Sequence, residues 1–368
     1  MMFDVADDWE ITCVGSGVEA LEELAEEPYD VIVTDMRMPG MGGAEVLEAV
    51  HAAFPSVVRI VLSGYADAEM SLRTVAVAHQ FLAKPCSAEV IRNTVARACE
   101  LRRLLADDRL RALVGDIDSL PSVPRIYQQL THVLARTEAD ASDVAEVVVQ
   151  DPAMCAKLLQ LVNSSFFARS RTLSDVRQAV MLLGMETVQN LALSCGAFSA
   201  AEFSHVSGLP SIESIQRHSL KTAAIAKKIA GGGAAGNDAF MAGVLHDVGL
   251  LVLAARMPDQ LAASLALCER ESIPRYEAER RVLGVTHAEV GAYLLGLWGL
   301  PYPVVEAVAN HHEPARVLSG SHFGLVEMVY FANVIASDGE PDLSLAERCG
   351  VTSRVETWAH FASKLEAA

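Results

Sequence analysis

Apolar and polar positions follow two regimes along this chain. Early on, short apolar runs at Val31–Val33, Val57–Leu62 and Phe81–Ala83 end in polar or glycine-rich residues and are separated by stretches of helical spacing. Runs of that length read as buried strands of a parallel sheet. Ile11–Val14 reads as a further strand, with a helix following over Val18–Ala25. From Ser87, a helix cap, Ile91, Val95, Ala98, Leu101 and Leu105 recur at every third or fourth position. That spacing predicts one long amphipathic helix across 87–115, which suits an intramolecular linker and a dimer seam equally. Gly115-Asp116 and the prolines at 121 and 124 end it. Beyond, the apolar period stays helical as far as about Phe331, with short Gly, Pro, Asp and Ser breaks and no alternating strand pattern. Asp151-Pro152 opens one such helix as a cap followed by proline at its first position. The closing segment from about Ser337 carries a last apolar helix around Trp358 and Phe361.

Chemistry sits at the strand ends. VIVTDMRMPGMGG delivers Asp35 into a loop, Val57–Leu62 runs into Ser63-Gly64, and Phe81–Ala83 runs into Lys84-Pro85. Open parallel sheets expose reactive side chains at the carboxyl ends of their strands, where the strand fixes the residue and the loop frees it. An acid, a hydroxyl and an amine in that order resemble the receiver domain of two-component response regulators, over roughly residues 1–104. The resemblance implies an α/β, flavodoxin-like, doubly wound parallel sheet. It implies Asp35 as acceptor of a phosphoryl group from a histidine kinase, Ser63 and Lys84 on the phosphoryl oxygens, Phe81 as the switch aromatic, and Mg²⁺ as cofactor. A carboxylate nucleophile ringed by donors is the chemistry such a transfer needs. Receivers of this kind begin with an apolar strand ending in two acids that bind the Mg²⁺. Here Asp7 and Asp8 precede Ile11–Val14 and read as a solvated turn, so the sequence is expected to start downstream of that strand.

Six residues stand out in the helical part: His218, His246, Asp247, His287, His311 and His312. His246 and Asp247 interrupt an apolar helix with Phe240, Val244, Leu251 and Val252, and buried polar groups there need partners or a metal. Thr286 and Glu289 make a capping-box pattern that puts His287 in a first helical turn, where the positive helix end favours the neutral imidazole. The segments DSLPSVPRIYQQL, VVVQDPAMCAKLLQLVNSSFF, AVMLLGMETVQNLAL, GVLHDVGLLVL and THAEVGAYLLGLWGLP resemble an HDOD domain, over 116–312, with 313–368 closing it. That family is all-α, related to the HD metal-dependent phosphohydrolases, and serves mainly in signal output through protein contact. By this resemblance the six residues, with Asn333 in the last ligand position, match metal ligands for Fe, Mn, Ni or Zn. Read singly, each histidine also suits a hydrogen-bonded core. Three departures weigh against hydrolysis: Asn333 replaces an aspartate, Leu250 stands where the cyclic di-GMP phosphodiesterases of this kind carry lysine, and Pro314–Val317 replaces their Gly-Tyr-Pro segment.

Composition narrows the classes. A net charge of −18 with no Lys/Arg cluster argues against nucleic acid as a partner. No apolar run approaches the roughly 18 residues of a membrane helix, and seven cysteines without paired spacing fit a reducing cytoplasm. The expected whole is a cytoplasmic response regulator acting on a protein partner. A metal-dependent phosphodiesterase or phosphohydrolase is the alternative.

Overall fold

The computed structural model describes residues 9–63, 77–102, 104–105, 107–117, 124–134, 136, 139–163, 172–184, 188, 208–317 and 323–366. Contacts divide the chain into two units, the first built mainly on 1–118 and the second mainly on the residues after it.

The first unit holds α1 (Gly17–Glu26), β1 (Val31–Asp35), α2 (Gly43–Ala53), β2 (Val58–Ser63), β3 (Gln80–Ala83), α3 (Ala88–Arg102) and α4 (Asp108–Gly115). The strands run parallel in the order β1-β2-β3, with Asp35 opposite Leu62 and Ser63 opposite Ala83. This is the α/β arrangement the apolar runs foretell. Val58, Ile60 and Val61 are fully buried, whereas Val33 is 37% exposed because β1 lies at an edge among the described strands. Leu24, Val46, Val50 and Val57 form an apolar cluster beneath α1 and α2.

Two expectations need correction. Ile11–Val14 is not a strand, and Ile11 and Val14 are exposed at 42% and 43%. A strand exists only through its ladder, and among the described residues nothing pairs with this segment. The single helix expected across 87–115 is two helices. Ser87 Oγ caps α3 by accepting from Val90 N at 3.3 Å. Asp107 then starts α4 by accepting from Arg109 N at 2.8 Å, while Arg111 donates to the Leu105 carbonyl at 2.6 Å. A side-chain cap competes with helix continuation, and here it wins.

The second unit is helical: α5 (Pro124–Leu134), α6 (Ala141–Val148), α7 (Pro152–Asn163), α8 (Val176–Leu183), α9 (Ile212–Ala230), α10 (Gly233–Leu245), α11 (Val248–Arg256), α12 (Pro258–Glu271), α13 (Arg275–Leu283), α14 (His287–Leu297), α15 (Tyr302–Asn310), a 3₁₀ turn (Pro314–Arg316), α16 (Leu325–Ala336), α17 (Leu343–Arg348) and α18 (Thr352–Glu366). Asp151 caps α7 as expected, accepting from Ala153 N at 2.9 Å. The closing helices bring Leu345, Val355 and Trp358 into one apolar cluster with Ile225 and Phe331. Gly233–Arg256 corrects the hydropathy reading: by length and composition it would span a membrane. Of its 18-residue apolar window 83% is buried inside the protein, and His246-Asp247 breaks it.

Candidate functional site

In the first unit, parallel pairing sets Asp35, Ser63 and Lys84 along one sheet edge. Lys84 Nζ makes an ion pair with Asp35 Oδ2, both side chains being a little over a third exposed. Arg37 N donates to Asp35 Oδ1 at 3.2 Å, so both carboxylate oxygens are held while facing solvent. Phe81 is buried at 5%. Ser63 closes β2, and its side chain lies outside the described residues, as do Asp7 and Asp8. Among the described residues this edge offers Mg²⁺ one carboxylate, too few oxygens for an octahedral ion by itself.

The second unit assembles all six singled-out residues around one carboxylate. Helices α9 and α10 approach closely at Gly243, where a Cβ would lie 2.5 Å from the Ala223 backbone, and this crossing brings His218 towards His246. Helices α11 and α14 touch at Gly249, where a Cβ would lie 1.9 Å from the His287 carbonyl. Only glycine permits either crossing, and Gly249 sits two residues beyond Asp247. His246 and Asp247 occupy the turn between α10 and α11, within the break rather than within a helix.

Asp247 spans two groups. His246 Nε2 is 3.4 Å and His218 Nε2 is 4.0 Å from its Oδ2. His287 Nε2 is 3.3 Å and His311 Nε2 is 3.7 Å from its Oδ1. His312 Nε2 lies 3.0 Å from His287 Nε2, and its ring stacks on Tyr276 at 4.9 Å. Among the described residues, donor atoms of His218, His246 and Asp247 fall within 4.8 Å of one another, as do those of Asp247, His287, His311 and His312. Asn333 Oδ1 meets His218 Nε2 at 2.9 Å, at the edge of the first group.

Hydrogen bonds behind the rings set their tautomers. His246 Nδ1 donates to the Gly243 carbonyl at 2.8 Å and His311 Nδ1 to the Val308 carbonyl at 2.7 Å. In the neutral ring each therefore leaves Nε2 as the lone-pair atom, and both Nε2 atoms are buried without a hydrogen-bond partner among the described residues. A buried polar atom left so costs about 1–3 kcal/mol, and a metal removes that cost. Burial and neighbouring imidazoles push His311 and His312 well below the usual histidine range, and His218 down as well, which keeps them neutral donors. Burial would raise Asp247, but His246 and His287 outweigh it and hold the carboxylate well below its ordinary value. The donor set of imidazoles around one carboxylate fits Fe, Mn, Ni or Zn.

His287 departs from expectation. Burial lowers it, yet Glu279 and Asp247 overcome this and raise it to about 9. The Thr286–Glu289 capping box forms reciprocally, at 2.9 Å and 3.2 Å. The helix end is nonetheless outweighed by Glu279, fully buried, whose Oε2 accepts from His287 Nδ1 at 2.6 Å and His287 N at 2.8 Å. Sequence reading missed Glu279, whose only mark was a charged residue eight positions before His287. Around the cluster lies a cavity of about 420 Å³, lined among others by Arg275, Ser214, Cys268 and Ser337. Leu250 is fully buried, and the segment after His312-Glu313 turns Arg316 onto Glu289 and Glu313, at 3.2 Å and 3.4 Å.

A parallel sheet with an acid and an amine at its carboxyl edge, joined to a helical domain holding a histidine–aspartate cluster, defines a receiver-bearing relative of the HD proteins. The chain belongs to the HDOD family: the HDOD domain model matches residues 120–314, and the response regulator receiver domain model matches 2–96. It is 28% identical over 235 residues to an uncharacterized protein of Treponema pallidum, covering 63% of this chain and 45% of that one. It is 34% identical over 136 residues to the hydrogenase transcriptional regulatory protein HoxA of Cupriavidus necator, covering 36% and 27%. The chain thus spans less than half the length of these curated relatives. The MmoQ response regulator of Methylococcus capsulatus shares the fold, at TM-score 0.53 and 23% identity, over 66% of this chain and 98% of that one.

Proposed function

We propose that this chain is a cytoplasmic response regulator in which a histidine kinase phosphorylates Asp35 and the HDOD domain carries the output by binding a protein partner. The observation that carries this reading is the Lys84–Asp35 ion pair at the carboxyl edge of the parallel sheet. A cation beside that carboxylate supports a site for phosphoryl oxygens, with Ser63 as the switch hydroxyl and Phe81 as the buried aromatic that follows its state. In the HDOD domain His218, His246, Asp247, His287, His311 and His312 hold a transition metal, with Asn333 as a weak neutral neighbour. Such an ion would supply Lewis acidity when bound. The chain's own residues orient the imidazoles through Gly243, Val308 and Glu279 and tie the helices together around Asp247.

Buried Leu250 and neutral Asn333 favour output by contact. One observation favours an enzyme instead: among the described residues Arg275, on the cavity wall, makes no hydrogen bond or ion pair, and a guanidinium there suits a phosphate. Turnover of cyclic di-GMP and a nucleotide panel with added Mn²⁺ or Fe²⁺ separates the two. No turnover is expected. Metal-dependent turnover that disappears in the His246→Ala/Asp247→Ala double variant would establish the phosphodiesterase reading.

A further inference from the structure

Arg59 is 1% exposed on β2, between neighbours that are fully buried. A guanidinium in such a place is tolerated only when its donors are used. Nε donates to the Val77 carbonyl at 2.5 Å, and Nη1 to the Pro55 and Val57 carbonyls at 3.2 Å each. Nη2 donates to the carbonyl of Gly115 at 2.6 Å and lies 2.9 Å from His79 Nε2. His79, 4% exposed, accepts from Arg59 N through Nδ1 at 3.0 Å, and its Nε2 reaches the same Gly115 carbonyl at 3.2 Å. Gly115 is the last residue of α4, so the cation meets the negative end of that helix. Its contact is close enough that a Cβ at Gly115 would lie 2.3 Å from the Pro55 carbonyl. Leu110, Val114 and Ile117 are buried beside it.

The sequence positions of the two latch residues give this contact its meaning. Arg59 lies four residues before Ser63 on β2, and His79 lies two before Phe81, immediately ahead of β3. Ser63 thus ends the strand whose earlier residue Arg59 grips the end of α4, and His79, which shares that grip, leads directly into the strand carrying Phe81. Gly115 lies between the stretches matched by the two family models. We infer that Arg59 and His79 latch the carboxyl end of α4 to the receiver and deliver changes at the phosphorylation edge to the segment leading into the HDOD domain.

The latch stands on geometry alone, while the delivery rests on the Asp35 reading. Hydrogen exchange of the full chain tests both, with Asp35 modification followed separately by mass spectrometry. Without phosphodonor, Arg59→Met should speed exchange of the 109–116 amides at least about tenfold while leaving β1 protected. Gly115→Ala, which keeps the arginine but wedges the contact, should do the same. Exchange at wild-type rate in the folded variants would overturn the latch. In wild type, modification of Asp35 by acetyl phosphate should alter exchange at 109–116, and Arg59→Met should abolish that response. A modified wild type with unchanged exchange there would overturn the delivery, and an Asp35 that takes no phosphoryl group would overturn the reading beneath it.

Discussion

A buried carboxylate against a buried imidazole fixes both the ring's orientation and its charge. Glu279 does this for His287, and the proton it stabilises occupies the Nε2 that a metal would need. Metal uptake near neutral pH should therefore release a proton, measurable as a dependence of binding heat on buffer ionisation. Glu279→Gln should lower metal affinity about 10–100-fold, read by competition with a chelator. The same pair sets a pH signature in metal-free protein. His287 has a raised folded pKa, so its stabilisation is complete below the unfolded value of about 6.5 and is lost as pH climbs to about 9. His311 and His312 are depressed, so they withdraw stability as pH falls below about 6.5. Thermal melts across pH should peak between these limbs, and Glu279→Gln should flatten the upper one. A melting temperature that rises steadily from pH 6.5 to 9 would contradict this assignment.

Helix starts and crossings fix where these residues stand. Asp107→Ala removes the cap that divides α3 from α4 and should cost about 0.5–2 kcal/mol in denaturant unfolding. Gly249→Ala forces a Cβ into the His287 backbone and should destabilise the protein while lowering metal content, because α11 and α14 carry Asp247 and His287. Much at this scale was legible beforehand. The apolar runs announced β1, β2 and β3 with Asp35, Ser63 and Lys84 at their ends, and Thr286 with Glu289 announced the start of α14. The failures share a cause: periodicity reports which face is apolar and nothing of what lies opposite. Leu101 and Leu105 continue the period of α3 across a break that Asp107 imposes. Ile11–Val14 has strand composition without a paired neighbour. Glu279 acquires its role from burial against a residue on the next helix, information that no local window contains.

Across the whole molecule, the two units divide the chemistry. The receiver edge keeps Asp35 open to solvent and paired to Lys84, which suits the phosphoryl acceptor proposed for it. The histidine cluster is buried, its potential phosphate lysine replaced by a core leucine and its outer aspartate by Asn333. In the proposed reading a signal entering at the first is read out by the second through binding of a protein partner, with the metal as a structural tie. Metal removal should then lower the melting temperature without affecting labelling of Asp35. The proposed switch depends on Asp35 accepting a phosphoryl group, and the most direct measurement is labelling with radioactive acetyl phosphate and Mg²⁺. Wild type is expected to acquire a base-labile label located at Asp35 and lost in Asp35→Asn. A wild type that stays unlabelled, or an Asp35→Asn variant that labels equally, would contradict it.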